Sequence, residues 1–87
     1  MADAAVRVVV YTRQGCHLCD DAIAVVQEVC AQRGEQFVTV DIDADPDLVN
    51  AYGMEIPVVT VDGVKIARFR IAPRALIRAL KKRRRTR

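Results

Sequence analysis

Apolar positions fall in short runs, and the spacing between them changes along the chain. Arg7 to Thr12 is β-branched and apolar, with Val8, Val9 and Val10 in succession, which predicts a buried strand. Gly15 breaks it. From Cys16 to Arg33 the apolar residues recur at helical spacing. Leu18, Ala22, Val25 or Val26, and Val29 make one stripe, which Ile23, Val26 and Cys30 widen. Gly34 suits the stop of that helix.

Gln36 to Asp41 predicts a second strand, with Phe37, Val38 and Val40 as its β-formers. Asp45 can cap a short helix opened by Pro46, running to about Tyr52 and ended by Gly53. Val58 to Val61 and Val64 to Phe69 read as two further strands. Asp62-Gly63 between them is a dipeptide preferred in two-residue hairpins. Pro73 opens a final helix, with Ala72, Leu76, Ile77 and Leu80 turned inward. The order is βαβ, then α, then ββα. Strands joined by a helical crossover are parallel and hairpin strands antiparallel, so the pattern predicts an α/β fold with a mixed four-stranded sheet flanked by helices.

Size sharpens this only a little. The 87 residues hold one domain, taken as residues 1–80, followed by a basic tail, residues 81–87. A chain this long buries roughly 60–65% of its unfolded surface, enough for one modest core. Hydrophobic residues make up 52% of the chain, but only two Tyr and two Phe are aromatic, so the core must be aliphatic. No basic stretch followed by a long apolar run opens the sequence, which leads us to expect a cytoplasmic protein without a membrane segment. In that reducing compartment a cysteine pair is catalytic or metal-binding rather than a structural bridge.

Charge divides the chain. Residues 1–62 carry 3 basic and 11 acidic side chains, whereas residues 63–87 carry 11 basic and none acidic. Such a block can mark an acidic partner or nucleic acid. Without interleaved aromatics, nucleic acid is not the expected partner, and a solvated helix face with a basic end is the plainer reading.

The strongest local signal is Cys16-His17-Leu18-Cys19, where the first strand turns into the first helix. Backbone N–H groups of a first helical turn lack intrahelical partners and favour an anion there. A cysteine at that point has its thiolate stabilised. The i, i+3 spacing brings the second sulfur to the same side of the helix, within reach of a disulfide. Cys16, nearer the tip, is the expected nucleophile, and Cys19, one turn inside, the resolving thiol. A structural zinc site needs three or four ligands. Beyond the pair only His17, between the two cysteines, and Cys30 remain, and Cys30 lies ~16 Å further along the helix axis. No metal ligands are therefore assigned.

Tyr11-Thr12-Arg13-Gln14-Gly15-Cys16-His17-Leu18-Cys19 resembles the strand-loop-helix entry of glutaredoxins. Glu55-Ile56-Pro57-Val58-Val59 is similar to the segment in which thioredoxin-fold proteins set a cis-proline beside the active cysteines, and Asp62-Gly63 to the hairpin turn that follows. The likeness spans nearly the whole chain and is nearest to bacterial glutaredoxin-like proteins with Cys-His-Leu-Cys. It implies a thioredoxin-like fold, βαβαββα, and thiol–disulfide exchange through Cys16 and Cys19. It also implies that Pro57 is cis and that the backbone of Ile56 receives a thiol substrate as an added strand. Arg13 matches a basic position that contacts a glutathione carboxylate. His17 stands where a proline often follows the nucleophile; a partly cationic His17 would favour the reduced pair.

One departure bears on the electron donor. Glutaredoxins usually carry Gly-Gly and then Asp after the last strand, to hold glutathione; here the stretch is Ala67-Arg68-Phe69-Arg70-Ile71. Phe69-Arg70 instead resembles redoxins that draw electrons from thioredoxin reductase. Glutathione and such a reductase both stand as reductants, with a disulfide-bearing protein or small thiol as substrate, no bound cofactor, and a monomer expected. The alternative is an iron–sulfur or other metal-binding module of glutaredoxin type. Cys30, on the apolar face, reads as a small hydrophobe. Asp41, Asp43, Asp45 and Asp47 alternate as in a calcium loop, but Pro46 and Tyr52 fall where glycine and glutamate are needed, so capping is the better account. Glu55 is placed at the rim of the site or on the open surface.

Overall fold

The structure, a computed structural model, describes residues 6–82. Strand β1 (Val8–Thr12) leads into helix α1 (His17–Arg33), and β2 (Phe37–Asp41) follows. A 3-10 turn (Ile42–Ala44) then precedes the short helix α2 (Pro46–Tyr52). The hairpin β3 (Val58–Val61) and β4 (Val64–Arg68) comes next, and α3 (Pro73–Lys81) closes the order.

The four strands form one sheet in the order β2-β1-β3-β4. β1 runs parallel to β2, as the α1 crossover requires, and antiparallel to β3; β3 and β4 pair antiparallel. This is the mixed sheet read from the pattern. The hairpin turn follows its local chemistry too. Asp62 and Gly63 have φ of 53° and 83°, and two consecutive left-handed residues are what a type I′ turn demands.

Central strands β1 and β3 carry most of the core. Val8, Val10 and Val59 are closed to solvent and pack with Ala22, Val26, Val29 and Cys30 of α1 and Leu76 and Leu80 of α3; Val58 is closed to solvent as well. The core is aliphatic throughout. Beyond the core, the ring of Tyr11 on β1 meets Tyr52 at the end of α2, with centroids 4.7 Å apart. α2 itself buries no residue.

Five local readings need correction. Arg7 stays outside β1, which begins at Val8. Cys16 is the N-cap of α1 rather than its first helical residue, because its backbone is still extended at φ −98° and ψ 109°. Gln36 stays outside β2. Phe69 leaves β4 in a left-handed conformation (φ 66°), which ends the strand one residue early. Ala72 is exposed, since it is the N-cap of α3 and lies before the amphipathic pattern begins. Gly53 does end α2, but by space rather than by left-handed geometry: a Cβ there would stand 2.5 Å from the Val49 carbonyl oxygen. The basic end runs one residue into α3, and residues 83–87 lie outside the described residues.

Arg7 ties the ends of the chain's fold together. Its guanidinium donates to Asp62 (2.9 and 3.0 Å), to Glu35 (3.2 Å) and to the carbonyl oxygens of Leu80 and Lys82. The two carbonyls belong to the last turn of α3, whose final carbonyls have no intrahelical donors. The hydrogen bond to Asp62 leads the causes that raise its pKa further.

Candidate redox site

Strand β1 delivers the chain to the edge of the core, and α1 begins at once. Between them Gly15 takes φ 78°, a turn that glycine makes without a Cβ penalty. The Cys16 sulfur then occupies the place of a helix-capping side chain. The backbone N–H of Cys19 donates to Cys16 Sγ at 3.2 Å, satisfying one orphan donor of the first turn. Cys16 Sγ is thereby held at the N-terminal end of a 17-residue helix, where backbone N–H groups lack intrahelical partners.

The two cysteines differ sharply in environment. Cys16 is half-buried and reachable; Cys19 is 2% exposed. Burial first, and then the hydrogen bond to Cys16, push the Cys19 thiol up to about 11, while a hydrogen bond from the Arg13 backbone pulls the other way. Cys19 is thus a protonated, sheltered thiol held beside an accessible sulfur. Cys30, also 2% exposed, is raised by burial and belongs to the core cluster.

The Ile56–Pro57 bond is cis. Pro57 is buried, and its carbonyl oxygen accepts from the backbone N–H of Phe69 at 2.9 Å; the same N–H reaches the Glu55 carbonyl at 3.2 Å. The end of β4 therefore holds the Glu55–Pro57 segment in place. Phe69 itself is the centre of a γ-turn, since Arg70 N–H bonds to the Arg68 carbonyl across it (2.6 Å). An aromatic residue at φ 66° is uncommon; Phe69 is 43% exposed, with Arg68 over its ring at 5.7 Å. Arg70 and Phe69 line a cleft of about 170 Å³ together with Leu18, Asp21, Val25 and Ile71. Leu18 and Asp21 place this cleft on the first turns of α1, the helix that Cys16 caps.

The other site residues sort as follows. His17 is the first residue of α1 and exposed. Ile56 is half-buried just before β3. Arg13 closes on Asp43, with Nε 3.1 Å from both carboxylate oxygens and Nη2 2.8 Å from Oδ1. The Asp43 carboxyl is held below its ordinary value by that hydrogen bond. Glu55 accepts from Lys65 at 2.6 Å and Arg68 at 3.4 Å, so it is the shared anion of two β4 cations, and it too is held low. Asp41 and Asp45 cap the turn and helix that follow them, by bonds to the N–H groups of Asp43 and Asp47 (each 2.9 Å). Among the described residues no three His, Cys, Asp or Glu side chains converge as metal ligands would.

Asp43 is the residue the sequence did not single out. Read in its own stretch it is one of four alternating acids, and only the turn Ile42–Ala44 carries it across to Arg13, 30 residues earlier. Phe69 was noted for its identity, but nothing in a Phe-Arg pair announces a left-handed backbone.

A family model described as glutaredoxin-like domain (DUF836) matches residues 7–83. The chain belongs to that glutaredoxin-like family. The structural genomics target protein XcR50 from X. campestris is 30% identical, covers 84% of this chain and 93% of its own, and superposes with a TM-score of 0.69. The glutaredoxin-like protein NrdH-redoxin from Escherichia coli, described as having a thioredoxin-like activity profile, is 25% identical with a TM-score of 0.58; the match covers 84% of this chain and 93% of that one. Protein Ne2328 from Nitrosomonas europaea shares the fold at 23% identity and a TM-score of 0.71, over 90% of this chain and 96% of its own. No curated protein matches the chain. The glutaredoxin-like chain thus has a thioredoxin-like α/β fold with a close Cys16–Cys19 pair, an arrangement suited to thiol redox chemistry. No helix among its described residues is long and apolar enough to cross a membrane.

Proposed function

We propose that the protein is a dithiol–disulfide oxidoreductase in which Cys16 attacks and Cys19 resolves. The observation that carries this reading is the pairing of an accessible N-cap sulfur, bonded by the Cys19 N–H at 3.2 Å, with a buried thiol raised to about 11. The Cys16 thiolate attacks one sulfur of a substrate disulfide, forming a mixed disulfide and releasing the other sulfur as a thiolate that takes up a proton. Cys19 then gives up its proton and attacks Cys16 Sγ. The second substrate sulfur leaves, and the products are a substrate dithiol and a Cys16–Cys19 disulfide, two electrons having passed to the substrate.

The surrounding residues support substrate binding. Ile56 and Pro57, held by the Phe69 N–H, would present an edge on which an extended substrate segment adds as a strand. His17, exposed beside the nucleophile, would face the arriving sulfur. Arg13 would receive a substrate carboxylate once Asp43 yields it. The oxidised pair would be returned to the dithiol by glutathione or by a flavoprotein thioredoxin reductase. The stretch Ala67-Arg68-Phe69-Arg70-Ile71 lacks the Gly-Gly and Asp of a glutathione site, which supports the reductase over glutathione.

The test is a trap. Cys19→Ser should accumulate a mixed disulfide at Cys16 when given a disulfide peptide, read by intact mass, whereas Cys16→Ser should form none. Absence of the adduct in the first variant, or its presence in the second, would refute the order of attack.

A further inference from the structure

We propose that the outer face of α3 is a docking track for an acidic, partly apolar segment of the protein that carries the substrate disulfide. The proposal rests on the oxidoreductase reading above and names its substrate class.

Apart from Arg33 at the end of α1 and Lys82 after α3, the cations of the described residues fall into two sets. Arg7, Arg13, Lys65 and Arg68 each have a carboxylate partner within 3.4 Å. Arg70, Arg74, Arg78 and Lys81 are all exposed, and among the described residues no ion pair engages them. No acidic residue lies on α3. Arg74, Arg78 and Lys81 share one side of the helix, opposite the buried Leu76 and Leu80, with Arg74 and Arg78 rising ~6 Å apart along its axis. Like charges at that spacing repel, and the helix dipole offsets this only for Arg78 and Lys81 in the last turn, not for Arg70 and Arg74. A polyanion would offset it along the whole row.

Continuity with the redox site favours a protein over other polyanions. Arg70 lines a cleft with Leu18 and Asp21 of the first turns of α1, so the row of cations begins at the end of the fold where Cys16 caps that helix. Arg74 lines a second hollow, of about 540 Å³, whose other walls are Ala72, Pro73 and Ile77. An apolar floor with a cationic rim fits apolar side chains interleaved with carboxylates; a nucleic acid backbone or a lipid headgroup has no use for that floor. Carboxylates of α1 set the direction. Exposed Asp20 and Asp21 repel an acidic segment, and Asp21 lines the cleft opposite Arg70, so the segment runs from the disulfide outward along α3.

The test compares disulfide peptides with acidic, neutral and basic flanks on the full-length protein and on Arg74→Gln/Arg78→Gln. The wild type should show kcat/KM for the acidic peptide about tenfold above the neutral one at low ionic strength, with the gap closing as salt rises. The double variant should reduce the neutral peptide at the wild-type rate and lose the preference. Binding of the same peptides is measured on Cys16→Ser/Cys19→Ser protein, which cannot turn over. Charge-selective binding without any wild-type turnover would uphold the track and strike the redox reading instead. Equal binding of all three peptides, a preference that survives in the double variant, or tighter binding of a short oligonucleotide or of anionic lipid vesicles would overturn the track.

Discussion

The guanidinium of Arg13 is closed on the carboxylate of Asp43, with three contacts between 2.8 and 3.1 Å. A planar fork matched to a carboxylate is a strong, directional pair. It fixes the loop that leads to Cys16 against the turn after β2, and it occupies the guanidinium that we propose receives a substrate carboxylate. Asp43→Asn should therefore release Arg13 and lower KM for a small carboxylate-bearing disulfide such as oxidised glutathione by several-fold, with kcat little changed. Steady-state kinetics would show this; an unchanged or raised KM would mean that Arg13 serves the loop alone.

The raised Cys19 thiol makes the resolving step pH-dependent. Its thiolate fraction, and so the rate of resolution, should climb about tenfold per pH unit until the pH nears the thiol's own value of about 11. Rapid quenching of a preformed mixed disulfide would measure it, and a flat profile between neutral pH and 10 would contradict the burial of Cys19. The same shift has a consequence for stability. Because the folded thiol holds its proton above the ordinary 9.0, its contribution is full below about 9 and is lost as the pH rises through about 11. Cys19→Ala should flatten that part of the curve.

Core packing supplies a prediction of magnitude. Leu76 is closed to solvent, on the α3 face that packs into the shared core. Leu76→Ala should cost about 2–5 kcal/mol of unfolding free energy. Urea unfolding would check it, and a loss below 1 kcal/mol would mean that the site collapses around the void.

Much of this fold was legible because its cues are local. Asp62-Gly63 specifies a type I′ turn within two residues, Asp45-Pro46 specifies a cap and a first helical residue, and the apolar stripe of α1 needs only its own period. The cysteine pair was legible for the same reason, since strand, glycine and helix start are contiguous. What escaped was non-local. That β3 lies against β1 rather than β2 depends on pairing across the fold. Arg13 finds Asp43 only after β2 is laid beside β1. Phe69 is left-handed because its N–H must reach the carbonyls of Glu55 and Pro57, a demand that its own side chain does not announce. Ala72 is exposed because the helical period that turns Leu76 and Leu80 inward does not hold at the N-cap.

The central claim is that electrons pass through Cys16 and Cys19, with Cys30 a bystander in the core. The direct measurement is to react the reduced full-length protein with one equivalent of a disulfide peptide, quench with acid, alkylate under denaturing conditions and map the peptides. The account predicts a single Cys16–Cys19 disulfide, released dithiol peptide in equal amount, and Cys30 recovered fully alkylated. Recovery of Cys16 and Cys19 both alkylated, or a disulfide that includes Cys30, would contradict it.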